Sequence, residues 1–200
     1  APQRPESMAA DRGAGEAQVA AAALRWIDDG ASLFLSNGSI AHRLLPQLVL
    51  RQGLSLTLHD LGMVATARQF LQSEIHVTGG LQGNDEPGLL GPAAELGVLS
   101  HPLDLCVLAI AGIDGRGRVL ARHAGAARLY SAAVRHADKT IALAYRPALS
   151  ATEGHPICTL GELHGLAVNH DLEPAVFDLL AEHDLRVERK ADGLIEFVRA

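Results

Sequence analysis

Three glycine-containing segments hold the residue types that bind a small anion. Ser36-Asn37-Gly38-Ser39 joins an apolar run (31–35, ASLFL) to a helical pattern (40–50). Backbone N–H groups at a helix start point at an incoming anion, Gly38 permits close approach, and the Ser36 and Ser39 hydroxyls add donors. Three charge-assisted hydrogen bonds of roughly 1.5–3 kcal/mol each would hold a phosphate with about micromolar to millimolar affinity. The same residues also suit an ordinary N-cap by Ser36 or Asn37. Thr78-Gly79-Gly80 closes the strand-like run 74–78, and on spacing alone it reads as a plain turn. Gly112-Ile113-Asp114-Gly115-Arg116-Gly117 follows the most apolar stretch of the chain. Its glycines could admit a ligand and Asp114 could bind sugar hydroxyls, although Asp-Gly is itself a turn signal. No G-x-G-x-x-G opens a helix there, so it is not a dinucleotide fingerprint.

Other chemistries find less support. The chain has 10 histidines, yet no H-E-x-x-H or similar pair, so no metal site is expected. His59-Asp60 at a strand end, and His164, His170 and His183, read as solvated or capping residues. No G-x-S-x-G elbow supports a Ser/His/Asp triad. Of the 2 cysteines, Cys106 and Cys158 lie too far apart for a zinc pattern. They read as small buried hydrophobes in a reducing, cytoplasmic setting. A net charge of −6 argues against a nucleic-acid surface, and 4% aromatic residues against a base-stacking platform. No apolar run reaches the roughly 18 residues of a membrane span, and the N-terminus lacks a secretory pattern.

The elements that must position these segments follow from hydrophobic periodicity. With 48% hydrophobic and 20% charged residues over 200 positions, the chain can bury one core. Residues 1–16 hold prolines and glycines and read as a flexible tail or linker, with order beginning near Glu16. Strand-like runs at 31–35, 54–58, 74–78, 103–111, 140–145, 166–169, 185–188 and 194–198 alternate with helical patterns at 40–50, 61–71, 92–99, 121–137 and 171–183. The run 103–111 (LDLCVLAIA) suits a strand buried on both faces. This alternation predicts an α/β fold: a mainly parallel sheet with helices on both faces, in three Rossmann-like layers. Ligands in such sheets bind at the carboxyl ends of the strands.

In order and spacing these segments resemble the C-terminal effector-sensing domain of DeoR-family transcriptional regulators, whose fold group includes ribose-5-phosphate isomerase and CoA-transferases. Ile27-Asp28-Asp29-Gly30-Ala31-Ser32-Leu33-Phe34-Leu35 resembles the family's opening I-x-D-G-D-x-I-F-L. Ser36–Ser39 takes the place of its phosphate-binding S-G-T-T turn, and His59-Asp60 that of a Thr-Asn pair. Val77-Thr78-Gly79-Gly80 matches L-x-G-G, and the residues from Asp104 to Asp114 resemble D-x-A-F-L-G-A-D-G-I-D. Arg128 matches a basic residue of the following helix, and Ala167-Val168-Asn169-His170-Asp171 resembles V-I-T-D. Where the family has D-x-S-K-F, this chain has Tyr145-Arg146-Pro147-Ala148-Leu149, without the Asp or the Lys.

The resemblance implies a sensor domain over 17–200 that binds a phosphorylated sugar or related anionic metabolite, with no cofactor, no metal and no catalysis. It implies an effector site of Ser36, Asn37, Gly38, Ser39, Gly79, Gly80, Gly112, Asp114 and Arg128. The implied partners are the small-molecule effector, other copies of the chain, and DNA only through an N-terminal helix-turn-helix that these residues do not accommodate; no membrane is involved. One alternative is a sugar-phosphate isomerase-like enzyme with Asp114 as base and Arg128 as electrophilic helper. Another is a partner-binding module with a degenerate pocket.

Overall fold

Strand β1 (Ser32–Leu35) sends Leu33 and Leu35 to one face and Phe34 to the other, and all three are buried. A strand apolar on both sides needs cover on both sides. The computed structural model describes residues 5–83, 88–145, 148–149, 153–169 and 172–200. Arg146, Pro147, His170, Asp171 and the acidic positions 84–87 lie outside them.

The chain enters through α1 (Pro5–Ala23) and a 3-10 turn (Leu24–Trp26) before β1. After β1 comes α2 (Ser39–Leu44), which tightens into a 3-10 segment (Leu45–Leu50) at Pro46, a residue with no N–H to continue the helical ladder. Next are β2 (Ser55–Leu58), α3 (Leu61–Phe70), β3 (Glu74–Val77), a ribbon of β4 (Leu81–Gln82) and β5 (Leu89–Leu90), and α4 (Pro92–Val98) with Pro92 at its start. Then come β6 (Leu105–Ala109), β7 (Gly112–Ile113), β8 (Arg118–Ala121), α5 (Ala124–His136), β9 (Lys139–Tyr145), β10 (Ala148–Leu149) and β11 (His155–Thr159). The chain closes with β12 (Gly165–Asn169), α6 (Pro174–Glu182), β13 (Leu185–Ala191) and β14 (Leu194–Arg199).

Eight strands form the central sheet in the order β13-β14-β12-β9-β6-β1-β2-β3. From β12 to β3 every neighbouring pair is parallel, and β14 runs antiparallel to both its neighbours. One face buries Leu33, Leu35, Leu56, Leu58 and Val107 under α1, α2 and α3. The other buries Phe34, Cys106, Leu108 and Val168 under α4, α5, α6 and the strands β8 and β11. The three-layer α/β arrangement expected from the sequence is therefore present. Both cysteines are free and buried. Among the described residues no helix is long and apolar enough to cross a membrane.

Three local expectations need correction. Order was expected to begin near Glu16, after a tail, but α1 starts at Pro5. A proline is tolerated in a first helical turn, and Gly15, a breaker by its type, serves packing: a Cβ there would overlap the Tyr145 ring and come within 2.7 Å of Asn169 Oδ1. The stretch 112–121 is not merely a strand end. It turns into β7 and β8 of a second sheet, ordered β10-β7-β8-β11, whose β11 had no counterpart in the expected elements. His59, expected to be solvated or capping, is fully buried.

Candidate functional site

The connections leaving β1 run in opposite senses across the sheet. Chain order proceeds β1, β2, β3 to one side and β6, β9, β12 to the other, so the strand order reverses between β1 and β6. That point is where open α/β sheets leave a crevice at their carboxyl ends. Ser36 to Ser39 sit on it. The tips of β6, β1, β2 and β3 are consecutive in the sheet, so the β3 tip lies only about 10 Å from that of β1 at the usual strand spacing.

Ser36 is fully buried and stitches the crevice. Its N–H donates to Val107 O at 3.0 Å, and its Oγ accepts from Ala109 N at 2.7 Å. Gly38 caps α2 with φ 147°, and a Cβ on it would come within 2.9 Å of the Ala109 Cβ, so the turn can lie this close to β6 only with glycine. No side chain caps the first turn of α2. Ser39 Oγ donates to Glu16 Oε1 at 2.7 Å.

Beneath the turn lies a polar cluster. The Asn37 N–H is shared between His59 Nε2 (3.2 Å) and Tyr130 Oη (3.1 Å), and Asn37 Nδ2 donates to Asp60 Oδ2 at 2.7 Å. Tyr130 Oη and His59 Nε2 are 3.2 Å apart. With Nε2 accepting, the ring proton belongs on Nδ1. Nδ1 faces the Gly88–Leu89 backbone with no well-formed hydrogen bond among the described residues. Burial pushes the His59 imidazole down to about 4, against the opposing pull of the Asp60 carboxylate, so the ring is neutral. It stacks on Phe34 (6.0 Å, 15°) and meets Tyr130 edge-on (5.5 Å, 73°). Asp60 also caps α3 by accepting from Met63 N at 2.9 Å.

The remaining expected site residues divide. Gly79 and Gly80 stand at the β3 tip with φ of 72° and 115°; Gly79 is open, whereas Gly80 is pressed against Leu90 O and Ala94. Gly112 is buried in the small sheet opposite Leu120. Asp114 begins the turn that joins β7 to β8. Its turn touches His183 at the end of α6 through Gly117 and receives Leu160 N on Gly117 O, just before β12 begins. Its carboxylate accepts from Arg116 N (3.0 Å), Arg118 N (2.9 Å) and Arg118 Nε (2.6 Å). Burial opposes ionisation there, but the Arg118 and Arg116 donors hold the carboxyl below its ordinary range. A carboxylate so committed is a poor general base. Arg128 lies on the outer face of α5, 3.5 Å from Glu95, lining an open cleft of about 400 Å³ with Ser131, Arg135 and His155. The same helix reaches the strand tips through Tyr130 instead.

Sequence reasoning missed Tyr130, His59 as a buried group, and Glu16. A signal existed for Tyr130: it is one of 2 tyrosines in the chain and sits in an alanine-rich helix. Tyr130→Phe should lower stability by about 1 kcal/mol, the ordinary worth of a buried hydrogen bond. The midpoint of urea unfolding would measure it, and an unchanged midpoint would remove Tyr130 from the cluster.

Comparison with known proteins agrees with this architecture. The family profile described as "DeoR C terminal sensor domain" matches residues 14–170. A search among curated proteins gave no match. Among solved structures, eIF2B beta from Chaetomium thermophilum is similar with a TM-score of 0.52 and 13% identity, over 76% of this chain and 49% of that one. Ribose 5-phosphate isomerase A from Methanocaldococcus jannaschii is similar with a TM-score of 0.47 and 12% identity, over 92% of this chain and 78% of that one. At 13% identity the likeness to eIF2B beta is one of fold.

Proposed function

Because the chain belongs to the DeoR C-terminal sensor-domain family, we propose that it is the effector-binding domain of a transcriptional regulator and takes a phosphorylated sugar or a related small anion at the tips of β1, β2, β3 and β6. The observation that carries this reading is the coincidence of the β1/β6 reversal with the side-chain-uncapped start of α2 at Gly38. Ser36, Gly38 and Ser39 form the turn, Asn37 is braced from below, and Gly79 borders it on open space. Asp114 and Arg128 belong to other surfaces in this reading. Ligand binding would alter operator affinity through a DNA-binding module carried on another segment or chain, a coupling of about 1–3 kcal/mol.

Catalysis is not expected, because the acid proposed as base is committed to its own turn. Incubation with ribose 5-phosphate should yield no ribulose 5-phosphate. Self-association is expected through exposed apolar side chains such as Val77, Leu81, Leu96 and Leu99. Sedimentation as a monomer at high concentration would remove that part.

A thermal-shift screen of sugar phosphates and small organic acids tests the core of the reading. A ligand at about 100 times its Kd adds about 2.7 kcal/mol of stability. One member of the panel should raise the midpoint of the parent chain and leave a folded Gly38→Ala variant unmoved. A rise that survives intact in Gly38→Ala would place the ligand elsewhere, and no rise across the panel would favour a module without a working pocket.

A further inference from the structure

Glu16 is 3% exposed, yet it is an acid in the middle of a helix. Its Oε1 accepts from Arg12 Nε (2.9 Å) and from Ser39 Oγ (2.7 Å), and its Oε2 accepts from Arg43 Nε (3.1 Å). Burial opposes the charge, and the three donors more than offset it, so its carboxyl stays ionised below the ordinary glutamate range. One carboxylate thus joins α1 to both turns of α2, and through Ser39 to the candidate effector turn.

We propose that Glu16 is a positioning residue that couples occupancy of the Ser36–Ser39 turn to the seating of α1. The proposal rests on the sensor reading above. A hydroxyl has one proton, and Ser39 gives it to Glu16. A ligand oxygen that takes that proton must displace the Glu16 carboxylate. An anion that draws the Arg43 guanidinium competes for the other oxygen of the same carboxylate. Either event loosens the contact that holds this part of α1 to the turn.

The surroundings make α1 responsive to that contact. One residue earlier, Gly15 lies so close to Tyr145 at the end of β9 that no side chain fits. Two residues after Glu16, Gln18 Oε1 accepts from Asn169 Nδ2 at 2.5 Å, at the end of β12. The helix therefore rests on the tips of β1, β9 and β12 at adjacent positions. It then continues back to Pro5, about 10 Å of helix beyond Arg12 at 1.5 Å per residue. A small change of seating at Glu16 is carried along a rigid element to its far end.

Hydrogen–deuterium exchange on the whole chain, with inorganic phosphate and ribose 5-phosphate as probes, tests this. A bound probe should slow exchange at 36–41 and speed it at 12–18 by about fivefold, the low end of ordinary coupling. In Glu16→Gln the probe should still protect 36–41, while 12–18 exchanges fast with or without it. A residue with a merely structural role would leave the probe's effect on 12–18 as it is in the parent chain. Protection at 36–41 with no response at 12–18 in the parent chain overturns the coupling and leaves the sensor site standing. A response at 12–18 that persists in Glu16→Gln overturns it as well. No protection at 36–41 by either probe brings down the site for these probes and the coupling with it.

Discussion

Lowering the pH from about 6.5 to about 4 should destabilise the domain by about 3 kcal/mol through His59 alone. The folded state keeps this ring neutral because charging it would bury a cation against Phe34 and Tyr130. The unfolded chain takes the proton at the ordinary histidine pKa of 6.5, whereas the folded chain resists until about 4. Between those values the unfolded state binds more protons, so stability falls as pH falls. Below about 4 both states are protonated and the His59 contribution levels off. His164, also held below its ordinary value by burial and by Arg199 and Lys139, acts with the same sign. Glu16, Asp104 and Asp114 have depressed values, so their stabilisation is present above the ordinary carboxylate range and is lost only at lower pH. The window above about 4.5 therefore belongs to the histidines. His59→Phe should flatten most of the slope in chemical unfolding measured from pH 7 to 4.5. Parallel slopes in the variant and the parent would show that the folded chain takes up the His59 proton at the same pH as the unfolded chain.

Gly97→Ala should remove about 3 kcal/mol or leave the chain unfolded. Gly97 lies inside α4, where alanine would normally improve a helix by about 1 kcal/mol. Here an added Cβ would overlap the carbonyl oxygen of Thr78. The obstacle is backbone at the β3 tip rather than a side chain that can swing away, so α4 itself must shift. Overpacking of this kind usually costs about 1–3 kcal/mol and more where backbone meets backbone. Gly83→Ala is the control, since among the described residues nothing would lie within 4 Å of its added Cβ, and it should change stability by less than about 0.5 kcal/mol. Equal unfolding midpoints for the two variants would show that α4 does not sit on Thr78. The same contact explains part of the Thr78-Gly79-Gly80 motif: Gly80 clears Leu90 O and Ala94, and only Gly79 remains open to the candidate site.

Local periodicity carried much of the fold. The alternation in 31–35 and 54–58 places leucines of β1 and β2 on one face, and the nine-residue apolar run around β6 is buried on both sides as parallel packing requires. Pro92 opens α4 and Pro46 ends α2 for reasons visible in the residues themselves. The β7–β8 hairpin was half legible. Its Asp-Gly turn was evident, but two-residue strands have too little periodicity to be told from a loop. The N-terminal helix was illegible for a different reason. Gly13, Gly15 and Pro5 are breakers by type, and only the presence of Tyr145 at the end of a distant strand makes Gly15 a packing residue.

Residue type and spacing were thus enough for the layered α/β class, the order of its strands along the chain, and the placing of a glycine turn at the end of β1. Each of these depends on neighbours within a few positions, which is the range over which side-chain periodicity and backbone preference act. The partners that the glycine and acidic motifs find were settled by packing. Asp114 is held by Arg118 within its own hairpin, Arg128 faces outward while Tyr130 faces in, and Glu16 finds two of its donors 23 and 27 residues away on α2. A buried charge or a buried ring is satisfied by whatever the folded chain brings to it, and those partners are remote in sequence.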